Sequence, residues 1–145
     1  MSVGRICNRV VVTASPNESV LAVARRMEAQ NVGSVVVVSG DGKPLAIVTD
    51  RDVAVRCVAR ELNAKDTSVA AIMTPDVRTV DASVPIDEAV RTMGSAGVRR
   101  LVVTGMEGRL EGVLSLDDVM DLIIEEEESI GRVLRKGAPR IVRAD

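Results

Sequence analysis

The chain has no phenylalanine, tyrosine, tryptophan or histidine, and only two cysteines in 145 residues. Each absence removes a class of function. Without aromatic rings there is no platform on which the bases of a single strand could stack. A net charge of −2 supplies no basic patch either, so nucleic acid is not expected as a partner. Without histidine there is no side chain that ordinarily titrates near neutral pH, and no Ser-His or Cys-His pair. A Gly-x-x-x-x-Gly-Lys-Ser/Thr loop is also missing, and together these absences argue against an enzyme. Cys7 and Cys57 match no metal-ligand spacing and read as small buried hydrophobes. Two thiols behind a start, MSVGRICNRV, that holds no apolar leader point to a reducing compartment, and a cytoplasmic location is expected. The longest aliphatic run, Val35 to Val38, is a strand's length and far short of the roughly 20 residues that cross a bilayer, so no membrane span is expected.

What the chain does have is a core-forming composition, 46% hydrophobic with 28% charged, which marks a globular sequence. It also has an internal repeat. Pro44 to Asp52, PLAIVTDRD, returns at Leu110 to Asp118 as LEGVLSLDD, and an offset of 66 residues carries Asp52 onto Asp118. The same offset carries Ile6 onto Ile72, Val11 onto Val77, Thr13 onto Thr79, Arg25 onto Arg91, Met27 onto Met93, Val32 onto Val98 and Gly42 onto Gly108. No gap is needed, so the chain is two copies of one supersecondary unit, residues 1–66 and 67–128, followed by a helix end and tail over 129–145.

Periodicity fills in the unit. Val10 to Thr13 predicts a strand, Val20 to Gln30 a helix with Val20, Val23, Ala24 and Met27 on one face, and Ser34 to Val38 a buried strand. Ser39 to Gly42 is turn chemistry, Leu45 to Val48 the returning strand, and Asp50 to Leu62 a helix with Val53, Cys57 and Val58 inward. Asn63 to Ser68 links the copies and Val69 to Met73 predicts a short helical turn. The second copy predicts strands over Val77 to Val80, Leu101 to Thr104 and Leu110 to Leu114, and helices over Ile86 to Ser95 and from Leu116 onward. Pro85 places the start of the former near Val84, and its counterpart in the first copy near Glu18. The last helix is expected to reach Glu128 or Leu134, with a Glu128–Arg132 pair one turn apart. The basic residues Arg132, Arg135, Lys136, Arg140 and Arg143 read as a solvated terminus.

These residues carry a resemblance. Two β-α-β-β-α units, each ending its third strand in Gly/Ala-aliphatic-aliphatic-Ser/Thr-x-x-Asp, resemble a tandem pair of CBS domains, the Bateman module. The matching stretches are Ala46 to Asp52 and Gly112 to Asp118, with Ile72-Met73-Thr74-Pro75 ahead of the second copy. The fold class implied is α/β (α+β), two repeats packed about a pseudo-twofold axis. The function implied is a regulatory module binding an adenine nucleotide of the AMP, ADP or ATP class in clefts between the repeats, with no further cofactor required. In the family, the aspartate of the element holds ribose hydroxyls and the hydroxyl residue reaches phosphate. Carried over, this nominates Thr49 and Asp52, with Arg51 beside the phosphate, for one cleft, and Ser115 and Asp118 for the other. Val10, Val11, Ser34, Thr74, Asp76, Val77, Arg99 and Arg100 follow from the strands that line the adenine pocket. A homodimer and a regulated protein partner, which the sequence does not name, are also implied.

Elementary chemistry runs beside the resemblance. A carboxylate accepts both hydroxyls of a cis-diol, and the free N–H groups of a helix start suit a phosphate. With no aromatic ring, adenine must lie against Val, Ile, Leu or Met. Ser/Thr-x-x-Asp at a helix start is also a capping box, and capping is compatible with ligand contact. The two clefts are not expected to be equivalent. Arg51 has Asp117 as its counterpart, so the Thr49/Asp52 cleft is expected to prefer a charged nucleotide and the Ser115/Asp118 cleft to bind weakly unless Arg99 or Arg100 offsets Asp117. The methyl of Ala46 is expected to narrow the Thr49/Asp52 pocket. The alternatives are a structural dimerisation module with vestigial clefts, or a sensor of another adenosyl ligand such as S-adenosylmethionine or NAD.

Overall fold

Side-chain alternation along four central strands decides how the chain folds, because each strand must serve a helix-covered core on one face and the other repeat on its opposite face. A computed structural model of the chain describes residues 1–137. The first sheet has the order β1 (Thr13–Ala14), β2 (Ser34–Val38), β3 (Pro44–Thr49), β4 (Thr74–Pro75), with β1 parallel to β2 and the other neighbours antiparallel. The second has the order β5 (Thr79–Asp81), β6 (Arg100–Thr104), β7 (Leu110–Ser115), with β5 parallel to β6 and β7 antiparallel to it. Helix α1 (Val20–Gln30) and the turn Val53–Val58, which follows the short α2 (Asp50–Asp52), cover the first sheet, and α3 (Ile86–Ala96) and α4 (Leu116–Gly137) cover the second. The fold class is the expected one.

The helix α1 buries Val20, Val23 and Met27, a three-and-four spacing that aims one stripe at the sheet. Ser19 caps its start by accepting the Ala22 N–H, and Asn31 closes it in the left-handed region at φ 51°. Gly97, at the offset of 66, closes α3 in the same conformation. The expected hairpin turn is present: Gly42 takes φ 81° and donates to the Ser39 carbonyl.

Several expectations fail for identifiable reasons. The strand expected over Val10 to Thr13 is Thr13–Ala14, because the Val10 N–H is drawn aside to Asn8 Oδ1 at 2.9 Å. The strand expected over Val77 to Val80 is Thr79–Asp81, because Asp76 takes φ 55° and bends the chain ahead of it. The helix expected over Asp50 to Leu62 is α-helical only to Asp52, and Val53–Val58 is π-helical. There Ala59 donates to the carbonyl of Ala54. The wider turn leaves Cys57 buried but turns Val58 outward, 67% exposed, against the expectation that it faces inward. Pro85 is an N-cap in extended conformation, so α3 begins at Ile86, and α1 likewise begins at Val20 and not near Glu18. Arg132 donates to Ser129 Oγ in place of an ion pair with Glu128. Arg140 and Arg143 lie outside the described residues.

The two cores exchange their entry segments. Val3 and Cys7 are buried in the second core, tied there by Val3 N–H to Val84 O, Gly4 N–H to Ala82 O and a two-bond bridge between Asn8 and Val113. Val69 and Ile72 are buried in the first core, where Val69 N–H donates to Glu18 O and β4 pairs with β3. Packing therefore interleaves the halves that the sequence repeat divides at residue 66.

Two candidate ligand clefts between the repeats

Each site begins with the alternation of the central strands. In β2, Val35 and Val37 enter the first core, leaving Ser34 and Val36 toward the other repeat. In β6, Leu101 and Val103 enter the second core, leaving Arg100 and Val102 on the shared side. Val36 and Val102 are buried at 3% and 0% yet belong to neither core, so they seal the seam between the repeats.

Two clefts open along that seam. The first is lined by Asn8, Val10, Val11, Val12, Val32, Ser34 and Val36 from the first repeat's entry, and by Arg100, Val113, Ser115, Asp117 and Asp118 from the second repeat. The second is lined by Ile47, Thr74, Asp76, Val77, Arg78, Val98 and Arg100. Every residue of the second cleft is the 66-offset counterpart of one in the first, Thr74 of Asn8 and Ile47 of Val113 among them. The structure thus brings together the nominated Val10, Val11, Ser34, Arg100, Ser115 and Asp118 in one cleft, and Thr74, Asp76, Val77 and Arg100 in the other. Thr49, Arg51, Asp52 and Arg99 line neither. Sequence reasoning did not nominate Asn8, Val12, Val32, Val36, Val113, Ile47, Arg78 or Val98. The signal was available, because the residue two before each cap hydroxyl and two after Ser34 shares its face of the strand.

The Ser/Thr-x-x-Asp elements form capping boxes in both copies. Thr49 N–H donates to Asp52 Oδ2 at 2.9 Å and Asp52 N–H to Thr49 Oγ1 at 3.1 Å. In the second copy, Ser115 N–H donates to Asp118 Oδ2 at 2.8 Å, Asp118 N–H to Ser115 Oγ at 3.1 Å, and Ser115 Oγ–H to Asp118 Oδ2 at 2.7 Å. The remaining oxygens differ. Asp52 Oδ1 faces Arg56 Nε at 3.7 Å, and Arg56 Nη1 continues to the carbonyls of Ile72 and Met73 and to Thr74 Oγ1. The counterpart of Arg56 is Leu122, and among the described residues no donor reaches Asp118 Oδ1. The first cleft therefore holds a carboxylate oxygen open to a hydroxyl donor.

Charge in the clefts is also asymmetric. Asp117 is paired with Arg99 at 3.3 Å, both side chains about three-quarters exposed, so the pair is weak and leaves Asp117 its negative field. Arg100 takes part in no ion pair or side-chain hydrogen bond among the described residues. Ala46 corrects an expectation: fully buried in the first core, its methyl points away from the seam and narrows neither cleft. Val10, 84% exposed at the mouth of the first cleft, presents apolar surface that a flat, uncharged ring would cover. No group of three or more His, Cys, Asp or Glu among the described residues could hold a metal ion, and no helix among them is long and apolar enough to cross a membrane.

Comparison with known proteins gives the same architecture. A family model described as the CBS domain matches twice, at residues 3–58 and 69–125. An uncharacterized protein of Methanopyrus kandleri is 33% identical over 133 residues, covering 88% of this chain and 68% of its own. Among solved structures, a CBS-domain protein of Burkholderia ambifaria superposes with a TM-score of 0.75 at 32% identity, covering 86% of this chain and 95% of that one. A CBS-domain protein of Pyrobaculum aerophilum, solved in complex with AMP, superposes with a TM-score of 0.72 at 28% identity, covering 81% of this chain and 89% of that one.

Proposed function

The chain belongs to the CBS-domain family and carries the domain twice, and from that membership we propose that it is a regulatory module that binds an adenine nucleotide between its repeats. The observation that carries the reading is the first cleft, where an open carboxylate oxygen, a cap hydroxyl and an uncommitted guanidinium face a wall of valines. Asp118 Oδ1 accepts from the ribose hydroxyls, and Arg100 and Ser115 take the phosphate. Adenine lies against Val10, Val11, Val12 and Val32, its edge satisfied by backbone groups. In the second cleft Arg78 and Arg100 are the cations and Thr74, Asp76 and Val77 lie on the adenine side, while Asp52, Thr49 and Arg51, the counterparts of Asp118, Ser115 and Asp117, stand outside its lining. Asp52 is already half-engaged by Arg56, so the first cleft is the stronger site. The AMP complex of the Pyrobaculum aerophilum relative supports the ligand class.

Binding acts by population shift, since a ligand that touches both repeats favours the packing in which its two walls are correctly spaced. We also propose a homodimer and a cytoplasmic location. The exposed apolar side chains Met120, Ile123, Ile124, Ile130, Val133 and Leu134 of α4 support the former, and sedimentation velocity tests it.

The test uses the missing aromatics. With no Trp or Tyr the chain is nearly silent near 260 nm, so an adenine absorbance that survives gel filtration reports bound ligand directly. AMP at about 100 times its Kd should stabilise the fold by about 2.7 kcal/mol. No co-purified adenine, together with a melting temperature that AMP leaves unchanged, overturns the reading.

A further inference from the structure

Among the described residues, Arg100 is the one that lines both clefts. It opens β6 opposite Ser115, and its 66-offset counterpart, which opens β2 opposite Thr49, is Ser34. A serine is too short to serve two sites, so the pseudo-twofold symmetry is broken at this position. Arg100 is also, among the described residues, the only cation lining the first cleft, where Asp117 and Asp118 already place two carboxylates. The second cleft holds Arg78 as well as Arg100, against the single carboxylate of Asp76. An anion entering the first cleft has no other lining guanidinium to meet among the described residues, whereas one entering the second has Arg78.

We infer that Arg100 is shared between the clefts and couples them negatively: an anionic adenine nucleotide in the first cleft draws the guanidinium to itself and weakens binding of a second anion in the other. The inference rests on the nucleotide reading above. Coupling through one residue is reciprocal, and its sign follows from charge: one guanidinium cannot neutralise two phosphates facing different clefts. Adenosine, which lacks the phosphate, does not recruit Arg100 and leaves the clefts independent.

Isothermal titration of AMP and of adenosine into the full chain, Asp118→Asn, Arg100→Ser and the double variant tests this. Asparagine keeps an acceptor for the Ser115 N–H, so D118N retains its cap while losing the first cleft's ribose carboxylate. The expected result is that D118N binds its remaining AMP about five-fold or more tightly than the weaker event of the unmodified chain. The gain is absent for adenosine and absent when Arg100 is serine. If the unmodified chain shows a single AMP event, D118N should still bind one AMP in the second cleft, and loss of all binding in D118N overturns the inference. An AMP affinity in D118N equal to the weaker event of the unmodified chain makes the clefts independent and overturns the inference alone. No AMP binding by the unmodified chain overturns the nucleotide reading and this inference with it.

Discussion

At the scale of single residues, Gly112 and Ala46 show how one sequence position serves two environments. A Cβ on Gly112 would stand 2.8 Å from the Asn8 carbonyl oxygen and 2.8 Å from Cys7 Sγ, because the entry segment runs directly over β7 there. Ala46 has its methyl in the first core with no such obstruction. Gly112→Ala should therefore cost about 1–3 kcal/mol, read as a lowered urea midpoint, while other glycine-to-alanine changes in open turns do not share this clash. Burial holds the Cys7 thiol above its ordinary pKa, against the neighbouring Arg9, so it stays protonated and inert at neutral pH. Glu18 is shifted the other way: the hydrogen bond from Arg26 keeps its carboxyl below the usual range. A depressed carboxylate contributes stability above its unfolded pKa of about 4.3 and loses it as pH falls through the folded value. Glu18→Gln should lower stability at pH 7 by about 1 kcal/mol or less, the pair being part-exposed. The gap to the parent should close as thermal melts are repeated at lower pH.

At the scale of elements, the caps and the π-helical stretch are the features that periodicity reads least well. Thr49 accepts one backbone N–H, whereas Ser115 both accepts the Asp118 N–H and donates to its carboxylate. Thr49→Ala and Ser115→Ala should each cost about 1 kcal/mol, Ser115→Ala the more, measured by chemical denaturation without ligand. Losses of this size with unchanged AMP binding would leave the hydroxyls as caps alone. The helix after β3 was legible as helical from Val53 and Cys57, but the wider turn over Val53–Val58 was not, because the pattern of apolar residues does not record a carbonyl shared one position further back. The strands before α1 and α3 begin later than their β-branched runs predict for the same kind of reason. A β-branched run describes strand propensity, and the side chain of Asn8 and the left-handed Asp76 override it locally.

At the scale of the molecule, the exchanged entry segments make the repeats one folding unit. Removing residues 1–8 would strip Val3 and Cys7 from the second core, together with the hydrogen bonds to Val84, Ala82 and Val113. Each buried aliphatic side chain contributes about 1.5–3 kcal/mol, and a domain's whole stability is about 5–15 kcal/mol. The truncated chain should lose its cooperative circular dichroism melt. A variant lacking residues 1–8 that melts as sharply as the full chain would mean that the bridges of the entry segment are incidental.

The amino-acid pattern alone determined the fold class, the doubling at 66 residues, the central strands, and the pairing of hydroxyl and aspartate at each helix start. All of these depend on contacts between residues near in sequence or on a period that one chain can display. Only the tertiary structure decided that the halves trade their entry segments, that Asp118 keeps an oxygen which Asp52 does not, and that Arg100 reaches both clefts. These depend on which distant surfaces meet across the seam, and a linear repeat carries no record of that meeting.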